Sequence, residues 1–227
     1  MVNLIAAAAF FLAIHFGVSG TRLRDRLVRV VGDKPFLGLF ALASIIGLIW
    51  LGRAYSHAPH VSLWGQLLAL KPVAMPLLLI AFLFIVIGIA TPSPTKVGME
   101  SRLTREVQVR GMTRITRHPF LWGTALWALV HFIINGDAAS SILFGSLLVL
   151  AVGGTSSIDA KRRRAFGDRW EQFARQTSNV PFAAIFAGRN QLAPALREIG
   201  VVRPLIAIAV FAALFVLHGR LFGAPLT

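Results

Sequence analysis

Six apolar runs dominate this sequence and constrain what the chain can fold into. They occupy residues 2–18, 36–52, 72–90, 119–134, 138–157 and 203–222. A helix needs about 20 apolar residues to cross a bilayer core, and each run comes close to that length. Because 56% of the 227 residues are hydrophobic and only 14% are charged, the chain is too apolar for a soluble domain of its size. The sequence therefore predicts an all-α, polytopic membrane helix bundle with about six transmembrane helices.

The 23 lysines and arginines, which give the chain its net charge of +14, are distributed unevenly between successive loops. Alternate connections carry most of them: five in residues 19–35, six in residues 91–118 and nine in residues 158–203. The intervening side has only Arg53, Lys71 and Arg220. The positive-inside rule then predicts that both termini lie on the non-cytoplasmic side, in a bacterial inner membrane. Because the charges are split among loops, no nucleic-acid partner is expected, and the predicted partner is the lipid bilayer.

No internal repeat or long linker divides the chain, so the sequence predicts a single membrane domain over residues 1–227. The first apolar run is followed by basic residues and none precedes it, so we expect an uncleaved helix. Residues 158–202 form the only sizeable extramembrane piece, a predicted cytoplasmic interfacial segment. Within it, residues 159–175 mix basic and aromatic side chains, which is typical of one basic helix lying on anionic headgroups.

Histidines are the candidate functional residues of the spans, because ionisable side chains inside a membrane are costly and usually face the bundle interior. His15 and His131 lie within apolar runs, His118 lies at the cytoplasmic start of the fourth run, and His57 follows the second run on the outer side. Trp127 precedes His131 by one helical turn and shares its face. The alternative is that these histidines only form hydrogen bonds between helices.

A non-covalently bound haem is the cofactor that the residue types favour. The chain has no cysteine, which excludes disulfides, thiolate metal sites and covalently attached haem. Zinc needs three or four nitrogen or oxygen ligands at one depth, and the spans supply hardly any carboxylate. A non-covalent haem needs only one or two imidazoles and an apolar slot.

Several motifs resemble one known family. They are the run GMTRITRHP at residues 111–119, followed by Gly123, Trp127 and His131, together with AIH at 13–15, YSH at 55–57 and PFAAIF at 181–186. Together they resemble the NnrU family, which includes the 15-cis-ζ-carotene isomerases of plants and cyanobacteria. The likeness extends over nearly the whole chain.

In the isomerase branch, the resemblance implies a b-type haem whose iron is held by histidines at the positions of His15 and His131, with His57 as a further functional histidine. The predicted topology instead places His15 at the depth of His118, and His57 at the depth of His131, so these pairings remain alternatives. Ala128 stands where the isomerases have a cysteine, so a ligand exchange through that thiol is absent here.

Three functions follow as expectations. The family is associated with denitrification, which implies a membrane haem protein that senses or handles nitric oxide or supports its reduction. The first alternative is haem-dependent isomerisation of a carotenoid, a hydrophobic small molecule. The second is a membrane methyltransferase that uses S-adenosylmethionine. It rests on a distant likeness to isoprenylcysteine carboxyl methyltransferases, with Arg117, His118 and Asp159 in a polar pocket at the cytoplasmic edge. Whether the chain is an enzyme, and its oligomeric state, stay open.

Overall fold

The computed structural model describes residues 1–104 and 109–223, so Arg105, counted above with the basic loop, lies outside the described residues. The helices in chain order are α1 (Val2–Leu12), α2 (Arg22–Val31), α3 (Asp33–Ser56), α4 (Lys71–Ala90), α5 (Met112–Ile115), α6 (Pro119–Asn135), α7 (Ala138–Phe166), α8 (Asp168–Gln176), α9 (Ala183–Phe186), α10 (Leu192–Ile199) and α11 (Val202–Phe222). A π-helical segment, Ala13–Ser19, continues α1, and 3-10 turns cover Leu68–Leu70 and Glu100–Thr104. The described residues contain no β-strand, only an isolated antiparallel bridge between Ser62 and Asp137.

Five helical stretches are long and apolar enough to cross a membrane. They are Val2–Ser19, Asp33–Ser56, Leu68–Ala90, Ala138–Phe166 and Val202–Phe222. The remaining predicted run forms α6, an apolar helix of 17 residues, which at 1.5 Å per residue is about 25 Å long. All six apolar runs are thus helical, which confirms the prediction of an all-α, multi-pass membrane protein. Which side each loop faces remains a prediction.

The basic stretch after the fifth apolar run differs from the single interfacial helix expected over residues 159–175. Residues 159–166 instead continue α7, which is 29 residues long. The chain then turns at Gly167, whose φ of 50° is a conformation that L residues with a side chain rarely adopt. A separate helix, α8, follows. Residues 159–175 therefore do not form one interfacial helix; they form the end of α7 and most of a separate, shorter helix, α8.

The described chain divides into two compact units, of which the first comprises Met1–Pro72 and Ala128–Lys161. Its apolar core joins α1, α3 and α7. The buried residues of this core are Leu4, Ala7, Ala8, Phe11, Leu51, Ala54 and Ala139. Gly47 on α3 makes room for α1, because a Cβ atom there would lie 3.1 Å from the rings of both Phe10 and Phe11. Small residues allow such close helix packing where lipid offers no hydrophobic driving force.

The connection between α3 and α4 is hydrogen-bonded to the turn between α6 and α7. The Gly136 carbonyl accepts hydrogen bonds from the backbone N–H groups of Leu63, Trp64 and Gly65, at 2.9, 3.1 and 3.1 Å. The Trp64 indole Nε1 donates to the Ile133 carbonyl at 2.8 Å. Gly136 has a φ of 64°, and a Cβ atom there would lie 1.9 Å from the Gly65 carbonyl oxygen. Only glycine fits this position.

The second unit comprises Val73–Trp127 and Arg162–Thr227, described to residue 223. In it α4 and α6 approach closely at two glycines. A Cβ atom on Gly123 would lie 2.7 Å from the Ala81 carbonyl oxygen, and one on Gly88 would lie 2.7 Å from the Phe120 nitrogen. The two helices therefore pack backbone against backbone.

Two charged clusters hold the extramembrane part of the second unit. Arg162, which the sequence counts among the headgroup-facing cations, is instead buried: it donates to the Pro94 carbonyl at 2.9 Å and to Glu100 at 2.7 Å. Arg114 on α5 forms a bidentate pair with Glu198 on α10, both contacts measuring 2.8 Å. Because the Pro94 carbonyl and Glu100 are its partners, the buried guanidinium of Arg162 does not incur the free-energy cost of an unpaired buried charge.

The carboxylate of Glu198 also accepts the Gly111 N–H at 2.7 Å. The hydrogen bonds from Arg114 are the main reason that the pKa of Glu198 is lowered below its ordinary value, and they raise the pKa of Arg114. Both groups therefore stay ionised across the neutral range, and the pair fixes α10 on α5.

We expect Gly136→Ala to destabilise the protein by at least about 2 kcal/mol, because the added Cβ strains the backbone and collides with Gly65. The measurement is thermal unfolding in detergent. Gly52→Ala is the matched control, since a Cβ atom there meets nothing within 4 Å. Equal melting temperatures for Gly136→Ala and Gly52→Ala would contradict this interpretation.

We expect Glu198→Gln to lower stability by about 1 kcal/mol at neutral pH, because it removes a charge-assisted bidentate pair. The folded-state pKa of Glu198 lies below its ordinary value of 4.5, so the pair contributes fully above pH 4.5 and is lost as the pH falls through the folded-state value. The melting temperatures of wild type and Glu198→Gln should therefore converge as the pH is lowered. Glu171→Gln, which removes an exposed pair with Arg163, should show a smaller effect. A constant difference down to acid pH would rule out the ion pair as its cause.

Candidate functional site

His15 lies in the π-helical segment that ends the first span. The N–H of Gly20 donates to the His15 carbonyl at 3.0 Å, a bond across five residues instead of four. Such wide turns are rare and occur frequently at functional sites. The geometry thus distinguishes His15 from a histidine that merely packs within a regular helix.

The His15 side chain is held in one orientation, and its neutral ring in one tautomer. Its Nδ1 atom lies 2.7 Å from the Phe11 carbonyl oxygen. Since a carbonyl only accepts, Nδ1 carries the proton and donates, which leaves the lone pair on Nε2. Metal-binding histidines typically use their second ring nitrogen in this way, to fix the tautomer and the ring direction.

Aromatic rings surround the His15 imidazole. The ring centroids of Phe11 and Phe40 lie 4.5 and 5.2 Å from that of His15. Next to it, Phe16 packs against α7, where a Cβ atom on Gly153 would lie 2.8 Å from the Phe16 ring. The half-buried imidazole is therefore set against aromatic rings of α1 and α3.

His131, on α6, lies beside a small polar network in the same unit. Its ring stacks on Phe144 at 4.8 Å between centroids. Phe144 meets the ring of Tyr55 edge-on at 6.3 Å. The Tyr55 hydroxyl lies 3.0 Å from the Ser140 hydroxyl, which also accepts from Asn135 at 3.2 Å. This end of the unit thus provides hydroxyl and amide groups within an otherwise apolar region.

His131 and Phe16, the neighbour of His15, contact α7 at different levels. His131 stacks on Phe144, whereas Phe16, the neighbour of His15, packs on Gly153. Nine residues of α-helix between these positions correspond to about 13 Å along α7. This spacing joins two positions on α7 and is not a distance between the imidazole nitrogens, so a pairing of His15 with His131 stays a prediction.

His57 is exposed at the end of α3. Its Nδ1 donates to the Arg53 carbonyl at 2.8 Å, so its Nε2 also carries the lone pair. The ring borders an open cleft of about 480 Å³ in the first unit. The cleft is lined by Asn3, Ile46, Ile49, Trp50, Arg53, Ala54 and His57. It is apolar at its base, with an amide, a guanidinium and an imidazole at its rim.

The remaining predicted site residues are divided between the units. Arg117 and His118 lie in the second unit, where His118 is buried and the Arg117 guanidinium carbon sits 5.6 Å from the centre of the Trp170 ring. Asp159 is buried on α7, in the part of that helix assigned to the first unit. Trp127 is half-buried on α6, one turn before His131. The predicted polar pocket of Arg117, His118 and Asp159 therefore remains a prediction.

The donor set fits a haem better than a bare metal ion. Within residues 1–104 and 109–223, no three His, Cys, Asp or Glu side chains are grouped so as to hold a metal ion. A haem needs only one or two protein ligands in an apolar setting. His15, with an oriented Nε2 among aromatic rings, meets that requirement.

The wide turn at His15 was not predicted from the sequence, nor was the network of Tyr55, Ser140 and Asn135. The first depends on the backbone hydrogen bonds of Ala13–Ser19, for which Gly17 and Gly20 were the available signal. The second joins α3 to the neighbouring ends of α6 and α7, which are distant from α3 in the sequence. Neither feature changes the hydrophobic pattern from which the spans were predicted.

Two curated proteins are similar to this chain, and both are described as chloroplastic 15-cis-zeta-carotene isomerase. The one from Arabidopsis thaliana is 26% identical over 227 residues, which cover 99% of this chain and 60% of the relative. The one from Zea mays is 24% identical over 193 residues, which cover 84% of this chain and 52% of the relative. The chain thus spans little more than half the length of these relatives. No solved structure matches it significantly.

The family comparison covers nearly every residue. The family described as NnrU protein matches residues 3–226, which include all six apolar helices and every histidine of the candidate site. With a match of this extent, the chain belongs to the NnrU family.

Proposed function

We propose that this protein binds haem b within the membrane and that His15 is the residue that holds the iron. The observation that carries the proposal is the hydrogen bond from His15 Nδ1 to the Phe11 carbonyl, which directs an unprotonated Nε2 away from its own helix. The rings of Phe11 and Phe40 supply an apolar surround, as a haem edge requires.

We propose a single protein ligand, because the Nε2 atom of His15 is oriented among the rings of Phe11 and Phe40. When bound, the haem would supply an iron that can bind a small molecule such as nitric oxide, with His15 as the residue that holds the iron. We therefore propose nitric oxide as the ligand and a role in nitric oxide or denitrification metabolism, in a bacterial plasma membrane.

Isomerisation of a carotenoid is the second proposed function. Its support is the similarity, over 99% and 84% of this chain, to two proteins described as 15-cis-zeta-carotene isomerase. The exposed apolar surfaces of the spans would admit a long polyene from the bilayer. The absence of cysteine, and Ala128 in particular, means that this chain would act without a thiol ligand.

We expect His15→Ala to abolish the Soret absorption of the purified protein in detergent, because the oriented Nε2 is lost. His131→Ala should retain the band. His57→Ala is the matched control, because His57 forms the same Nδ1 bond to a carbonyl four residues earlier but is exposed. In His15→Gly, added imidazole should restore the band by filling the vacated position.

Two results would decide against this ligand assignment. The first is a full Soret band in His15→Ala protein that elutes normally in size-exclusion chromatography. The second is loss of the band in both His15→Ala and His131→Ala, which would identify the two histidines as a pair. Wild-type protein expressed with ample haem and lacking any Soret band would remove the haem proposal itself.

The two proposed activities differ in what the loaded protein does. For a nitric oxide protein, we expect the reduced wild type to change its Soret spectrum on addition of nitric oxide, and no change in carotenoid isomers in a producing host. For an isomerase, the 15-cis substrate should disappear from a host that expresses the wild type and persist with His15→Ala. Chromatography of the extracted carotenoids measures the amount of 15-cis substrate. In the same host, His57→Ala tests the effect of changing a residue that lines the cleft, whereas His15→Ala tests the effect of losing haem.

A further inference from the structure

Helix α2 is short, strongly basic and amphipathic. Its ten residues include four arginines and one aspartate. At about 100° per residue, Leu23, Leu27, Val30 and Val31 fall on one face, and Arg22, Asp25, Arg26 and Arg29 on the opposite face. The helix therefore separates an apolar side from a charged side along its whole length of about 15 Å.

The apolar face of α2 is only partly covered by the protein. Val30 is 83% exposed, and Leu23, Leu27 and Val31 are 43, 36 and 41% exposed. The helix has no buried residue. In water such a contiguous apolar face would be unfavourable, so it requires an apolar partner.

The position of α2 in the chain identifies that partner. The span Val2–Ser19 ends two residues before the helix, and the span Asp33–Ser56 begins one residue after it. Thr21 caps the N-terminus by accepting the Leu23 N–H at 3.2 Å, and it donates to the Gly17 carbonyl of the preceding span at 2.6 Å. A helix tied at both ends to membrane spans lies at the membrane surface, where lipid is the apolar phase available to it.

The charged face points to anionic lipid. Arg24 is occupied: it contacts Asp25 at 3.5 Å and Asp33 at 3.4 Å, and its guanidinium lies over the Phe36 ring. Arg22, Arg26 and Arg29 form no ion pair with any residue in the described ranges 1–104 and 109–223. Three unpaired guanidinium groups on one exposed face are complementary to phosphate headgroups.

We propose that α2 is an interfacial anchor that inserts Leu23, Leu27 and Val30 between lipids while Arg22, Arg26 and Arg29 bind the headgroups of anionic phospholipids. This proposal does not depend on haem binding, because none of the six residues that it names is a candidate haem ligand.

The test uses the absence of native cysteine, which lets one introduced thiol carry a single label. The full chain with Leu27→Cys, or with Asp25→Cys on the charged face, is labelled with an environment-sensitive fluorophore. It is then reconstituted in phosphatidylcholine vesicles with or without phosphatidylglycerol. Quenching by acrylamide reports water access, and quenching by doxyl-labelled lipid reports insertion.

In vesicles with phosphatidylglycerol, we expect acrylamide quenching at position 27 to be lower than at position 25 by about twofold or more, with the reverse order for the doxyl lipid. Replacing Arg22, Arg26 and Arg29 together with glutamine should raise acrylamide quenching at position 27 by about twofold in these vesicles and leave it unchanged in pure phosphatidylcholine. The matched control replaces the exposed Arg164, Arg169 and Arg175, which removes the same charge elsewhere and should have no effect at position 27.

Equal acrylamide quenching at positions 25 and 27 in both vesicles would overturn the insertion of the apolar face. An effect of the triple substitution that is the same with and without phosphatidylglycerol, or is reproduced by the control triple, would overturn the binding of anionic headgroups. Circular dichroism and size-exclusion chromatography of each variant establish that it is folded, so an altered label is not attributed to unfolding.

Discussion

Hydrogen bonding of the backbone inside the bilayer is the constraint on which this structure depends. Without water, each N–H and C=O group in a span needs a partner within the protein, so the six apolar runs form helices. The same requirement reaches the side chains. The Nδ1–H of His15 donates to a carbonyl of its own helix four residues earlier, and the Ser44 and Thr124 hydroxyls donate in the same way.

The close approaches between helices follow from the same setting. Lipid does not drive apolar surfaces together, so the helices associate where small residues let backbone atoms approach closely and gain van der Waals attraction. Gly47 does this within the first unit, and Gly88 and Gly123 do it within the second. Polar clamps appear where the chain leaves the membrane: Arg114 with Glu198, and Arg162 with Glu100.

The sequence was sufficient to predict the helices but not how their ends are built. Apolar runs of nearly 20 residues determine the spans because length and hydropathy are local properties, and all six were found as helices. The break at Gly167 was missed, because basic and aromatic residues continue across it and only its backbone angle interrupts the helix. For the site, the individual histidines could be named from the sequence. Their relative levels could not, because those depend on which residue of α7 each helix meets, as Phe144 and Gly153 show.

The wide turn at His15 also changes the angular register of the first span. In a regular α-helix each residue advances about 100°, so residues four apart share a face. A segment bonded across five residues advances less per residue, so side chains on its two sides are rotated relative to the regular pattern. Loss of one residue between Ala13 and Ser19 would let the segment return to an α-helix. That change would rotate the face bearing Phe11 about the helix axis relative to Gly20, where the chain leaves the span. The number of residues in this segment therefore determines the direction of the imidazole.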